Sequence, residues 1–171
     1  MGDRRLELAL RDGAPSKNTV LTDLGLKELP QLPVGLLSLD VSTNPLRTLP
    51  PELEDQAPTL RSLTADDTGL RQIPEVVLYL GELRELRLRK NSLHDLPSLR
   101  SLSMLHTLDV SMNAISVFPR AVLGLSTLQH LFMSFNKMER VRPLLSLPPT
   151  PLPAHPSLPL PSPLPPNLDL R

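Results

Sequence analysis

The sequence predicts an α/β solenoid: an arc of short stacked repeats, with parallel strands along its concave side and irregular or short-helical segments along its convex side. Three observations carry that prediction. A fifteen-residue block recurs five times, with starts 24, 23, 22 and 23 residues apart. Around its fourth and sixth positions each block alternates apolar residues with mostly polar neighbours, the period of a strand with one buried face. No single block can bury its own leucines, so neighbouring blocks must stack.

The blocks start at Leu36, Leu60, Leu83, Leu105 and Leu128 and read LLSLDVSTNPLRTLP, LRSLTADDTGLRQIP, LRELRLRKNSLHDLP, LHTLDVSMNAISVFP and LQHLFMSFNKMERVR. Together they approximate LxxLxLxxNxLxxLP. The fourth and sixth positions point inward: Leu39 and Val41, Leu63 and Ala65, Leu86 and Leu88, Leu108 and Val110, Leu131 and Met133. Position nine is Asn44, Asn91, Asn113 and Asn136, with Thr68 in the remaining block. An amide there can supply the backbone partners that a buried turn lacks, and a Thr can do part of that work. Positions eleven and fourteen are again apolar, as in Leu93 with Leu96 and Ile115 with Phe118. Pro50, Pro74, Pro97 and Pro119 then end any regular helix and start the convex return. An earlier segment, VLTDLGLKELP at residues 20–30, carries only the second half of the pattern, and its successor follows after six residues.

This pattern resembles the leucine-rich-repeat family over residues 16–142, specifically the intracellular LP-containing class of Ras-suppressor-type and Scribble-like scaffolds. The shortened first unit, LPQLPVGLLSLDVSTN, is similar to the shorter repeats of bacterial secreted effectors, and is read as a variation in convex length. The resemblance implies an arc of one partial and five full repeats that binds a protein on its concave face. Consensus Leu, Asn and Pro are then packing and backbone support, and function falls to the variable positions.

Positions three, five, seven and eight are expected to face outward on the concave side. Three zones follow: acidic at Asp40, Asp66 and Asp67, basic at Arg84, Arg87, Arg89 and Lys90, and apolar at Met112, Phe132 and Phe135. The charges have two readings. Asp66 can pair with Arg89, Asp67 with Lys90 and Arg87 with Asp109, merely solubilising the surface, or the zone can meet a partner. The apolar zone also has two: a contact site, or a patch covered by the C-terminal tail.

Other function classes find little support. With 18 Lys+Arg against 18 Asp+Glu there is no net pull toward nucleic acid or anionic membrane. Absence of cysteine excludes disulfides and thiolate metal sites. His94, His106 and His130 lack metal-ligand spacing. Ser111, His130 and Asp109 can be neighbours on the concave face, yet an open surface without an oxyanion donor is a poor setting for a triad. No cofactor motif occurs. Charged residues interrupt Met1–Leu10, and no apolar run approaches a bilayer span. No Asn-x-Ser/Thr acceptor is present, and Leu6 breaks a myristoylation signal at Gly2. A cytoplasmic location and a monomeric state are expected.

The ends differ from the repeats. Residues 1–15 are expected to cap the array, with Leu6, Ala9 and Leu10 on one face of a short amphipathic turn. Residues 143–171 hold 11 prolines among 29 and are expected to form a polyproline-like or disordered tail. Such a tail reads as an alternative C-terminus on a truncated array, or as an SH3 or WW ligand through the PxxP of PAHPSLP. The sequence therefore points to a non-enzymatic protein-binding scaffold or adaptor. The alternative is a targeting or substrate-recognition fragment of a larger signalling enzyme, a ligase or phosphatase.

Overall fold

In a computed structural model of the chain, the described residues are 17–138. The expected cap at residues 1–15, the tail at 143–171 and the close of the last block at Val141 and Arg142 lie outside them.

Six three-residue strands form one parallel sheet in chain order: β1 (Asn18–Val20), β2 (Ser38–Asp40), β3 (Ser62–Thr64), β4 (Glu85–Arg87), β5 (Thr107–Asp109) and β6 (His130–Phe132). Leu39, Leu63, Leu86, Leu108 and Leu131 meet in register across five of them. The first four are fully buried, as are Val41, Ala65, Leu88 and Val110 one alternation further on. Burial of such a leucine contributes about 1.5–3 kcal/mol, so the column of alternating apolar residues is the main source of cohesion. Leu131 in β6 and Met133 just after it are only partly buried.

β1 corrects the reading of the first unit as a half repeat. Asn18–Val20 pairs with Ser38–Asp40, and Thr19 occupies the place opposite Leu39. Thr19 is buried, and a β-branched side chain suits that place on a pleated surface. With no Leu there, the alternation did not register as a strand.

Repeat length sets the convex side. Successive strands start 20, 24, 23, 22 and 23 residues apart. The longest return carries the six-residue 3₁₀ helix Pro51–Gln56, and the two of 23 carry the five-residue helices Glu75–Tyr79 and Arg120–Gly124. The returns of 20 and 22 residues carry none among the described residues. Pro50, Pro74 and Pro119 each sit at the N-cap of one of these helices, so these prolines start short helices.

The asparagines perform the expected bonding, each reaching back one repeat. Asn44 Oδ1 accepts the N–H groups of Leu24 and Leu26, and its Nδ2 donates to the carbonyls of Leu21 and Val41. Asn113 Nδ2 donates to Leu88 and Val110, while its Oδ1 accepts from Leu93. Asn136 repeats this with Val110, Met133 and Ile115. Thr68 does only part of the work, donating to the Ala65 carbonyl; Asn91 reaches the same carbonyl and also accepts from Thr68 N–H and Leu70 N–H.

Two side chains depart from expectation. Phe118 is 45% exposed, whereas Leu49, Ile73 and Leu96 at its repeat position are buried. The residue at that position in the next repeat, Val141, lies outside the described residues. Gln56, unremarked in the sequence, is buried, accepting from Leu36 N–H and donating to the Pro33 carbonyl. It ties the longest return to the short first one.

Candidate functional site

The concave surface is set by where each strand stops. Position five ends the strand, position seven follows in extended continuation, and position eight turns left-handed. Thr43, Asp67, Lys90, Met112 and Phe135 all have φ between 54° and 58°. The N–H groups of the first four still bond across the stack, as from Lys90 to the Ser111 carbonyl and from Met112 to the Ser134 carbonyl. Position eight is thus a corner rather than the outward strand position expected. Asp tolerates that conformation comparatively well; a bulky Phe or Met does not.

The acidic residues have internal duties. Asp40 Oδ1 accepts the N–H of Ser42, and Asp109 Oδ1 accepts that of Ser111, closing the bend after each strand. Asp66 Oδ1 accepts the Arg89 N–H at 2.7 Å from the next repeat. Burial pushes the Asp66 carboxyl above the ordinary aspartate range, with Asp109 and Asp40 adding to the shift. The Arg89 N–H and the Arg87 charge oppose it. Asp66 and Arg89 do adjoin, but through the backbone N–H, so they are not the ion pair anticipated.

The basic residues divide into neutralised and available. Lys90 Nζ lies 2.7 Å from Asp67, the pair expected. Arg87 stands opposite Asp109 in register, yet its guanidinium pairs at 2.6 Å with Glu85, two residues back on its own strand. Asp109 is turned to the Ser111 N–H, which removes it as a close partner. Among the described residues, Arg84 and Arg89 are exposed and have no salt bridge.

Beside them lies the apolar zone. Met112 is 38%, Phe132 51% and Phe135 81% exposed. His130, two residues before Phe132 on the same outward face, stacks on its ring with centroids 6.5 Å apart. From the sequence His130 is weighed only as a metal ligand or triad member, and both roles are set aside; its period-two relation to Phe132 is the signal for this stack. Whether the tail covers Phe132 and Phe135 falls outside the described residues.

The catalytic arrangement does not form. His130 is in register with Thr107, four residues before Ser111 and thus about 13 Å away along the strand direction. Ser111 Oγ instead accepts from Ser134 Oγ. Among the described residues no cluster of three or more His, Asp or Glu is placed to hold a metal ion. No described helix is long and apolar enough to cross a membrane. On the convex side, Phe118 and the exposed Val117 line a shallow depression with His94, Arg100 and Arg120.

Comparison with known proteins agrees with this geometry. No family model matches the chain. The human volume-regulated anion channel subunit LRRC8E is 36% identical over 91 residues, covering 52% of this chain and 11% of that protein. An Arabidopsis thaliana homolog of the protein phosphatase 1 regulatory inhibitor subunit PPP1R7 is 29% identical over 116 residues, covering 65% of this chain and 35% of that protein. The solved structure of YopM, a leucine-rich effector protein from Yersinia pestis, superposes with a TM-score of 0.66 at 28% identity, covering 79% of this chain and 36% of that one. The chain has a leucine-rich-repeat fold, and it spans only a minor part of these relatives.

Proposed function

We propose that this chain is a non-enzymatic, protein-binding scaffold or adaptor that engages its partner on the concave face of β4–β6. The observation that carries the reading is Phe135. It is the most exposed of the aromatic side chains among the described residues, and it occupies a left-handed corner that a smaller polar residue fills with less strain. A bulky apolar residue in that place has no packing return within the repeats. Exposed apolar clusters of this kind mark contact surfaces. Met112, Phe132, Arg89 and the Asp67–Lys90 pair complete the zone; Arg87, Asp66 and Asp109 frame it.

Kinship with an effector and with a phosphatase regulatory subunit supports binding as the activity class. The LP-containing repeats favour the Ras-suppressor/Scribble-like class, a cytoplasmic location and a monomer. A second reading rests on the relatives' greater length: the arc serves as a targeting segment within a larger signalling protein.

The test is affinity capture from cells with the full chain and a Phe135→Asn variant, read by quantitative mass spectrometry. The main partner should be lost from the variant, since an aromatic anchor is typically worth about 2 kcal/mol or more. Thermal stability of the variant should hold or rise, because Asn relaxes the corner. Unchanged capture would refute the site.

A further inference from the structure

We infer that the concave site selects an extended segment of its partner in which a carboxylate precedes a bulky apolar side chain by three residues. This rests on the concave-face reading above and specifies the partner's chemistry.

The acidic side chains of the face are already committed. Asp40, Asp66 and Asp109 each accept a backbone N–H, and Asp67 holds Lys90. Arg87 is neutralised by Glu85. What remains open to a partner is the apolar group of Met112, Phe132 and Phe135 and two cations, Arg84 and Arg89, exposed and without a salt bridge among the described residues. Arg84 precedes β4, whereas Arg89 follows it, on the side where Met112 and Phe135 follow β5 and β6. The complement is one negative charge beside one apolar side chain.

Register fixes their separation. Arg89 follows β4, whereas Phe132 ends β6 and Phe135 follows it, two strands away in the sheet. Adjacent strands lie about 4.8 Å apart, so the cation and the aromatic group are about 10 Å apart across the stack. A polyproline-II-like segment rises about 3.1 Å per residue with three residues per turn. Side chains three residues apart then share one face and span about 9 Å. Met112 lies between the two anchor points, after β5, as a floor for the intervening residues. The guanidinium offers the carboxylate a two-pronged, charge-assisted contact.

The probe is a set of short synthetic peptides titrated into the full-length isotope-labelled chain and followed by amide chemical shifts. One peptide has Glu-Ala-Ala-Phe at its centre, a second replaces Glu by Lys, and a third places Glu directly before Phe. The first should bind about tenfold more tightly than either other, shifting amides at Arg89, Met112 and Phe135. Arg89→Ala should erase the preference for Glu over Lys, and Phe132→Ser should remove binding; circular dichroism checks that both variants fold. Equal affinity for the Glu and Lys peptides, a preference that survives Arg89→Ala, or no binding by any peptide overturns the proposal. If the peptides fail while partner capture remains sensitive to Phe135, the specificity falls and the concave-face reading stands.

Discussion

Replacing Asn91 by Ala removes the side chain that bridges the second and third full repeats. Its Oδ1 accepts the N–H groups of Thr68 and Leu70 at 3.1 and 2.9 Å, and its Nδ2 donates to the Ala65 carbonyl at 2.8 Å. Thr68 and Leu70 are fully buried, so their N–H groups have no water to turn to. An orphaned buried polar group costs about 1–3 kcal/mol. Two such groups give roughly 3 kcal/mol after allowance for water entering the partly exposed space that Asn91 vacates. For a domain of this size that lowers the melting temperature by about 10 °C. Thr68→Ala should cost only about 1 kcal/mol, because Asn91 Nδ2 still serves the Ala65 carbonyl. Both side chains donate to the buried Ala65 carbonyl, which is orphaned only when both are gone, so the double variant should lose more than the sum. Chemical denaturation of the four proteins measures all three quantities. Equal single losses, or strict additivity, would refute the account of Asn91 as the main bridge and Thr68 as its assistant.

Leu86→Asp should abolish the cooperative transition, since it places a charge with no partner at a fully buried site between Leu63 and Leu108. Arg87→Ala, on the outward side of the same strand, should cost under about 0.5 kcal/mol, and similar losses for the two would reverse the inward and outward assignment. Asp66 gives a pH signature. Its carboxyl is raised in the fold above 3.8, so the folded state holds the proton more tightly than the unfolded chain. The stability this contributes is full below the unfolded value and lost as pH rises through the folded one. Asp66→Asn keeps an acceptor for the Arg89 N–H and should gain on the parent as pH rises from 3.8 toward neutrality; melting curves with parallel pH dependence would contradict the burial account.

Much of this architecture was legible because packing in a stacked array is periodic. The leucine columns, the Asn ladder and the parallel register follow from one repeat consensus, and repeat length forecasts where the convex side has room for a 3₁₀ helix. What escaped the sequence depends on short-range competition that the consensus does not encode. Thr19 hid β1 because a polar β-branched residue stands in a leucine place. Asp40, Asp66 and Asp109 were legible as charges on the concave side, but not as acceptors for backbone N–H groups. That choice in turn left Arg87 to Glu85, which shares its strand face at a spacing of two. Position eight read as one more outward residue, whereas the chain turns left-handed there. The exposure of Met112, Phe132 and Phe135 was legible, since large apolar residues at outward positions contradict the alternation around them.

The most direct test of the central claim is a hydrogen-exchange footprint of the full chain with and without its captured partner. Binding on the concave face predicts slowed exchange at residues 87–90, 110–113 and 132–136, with the convex returns unchanged. Protection concentrated instead at residues 117–121, around Phe118 and Arg120, would move the interface to the convex side and contradict the account.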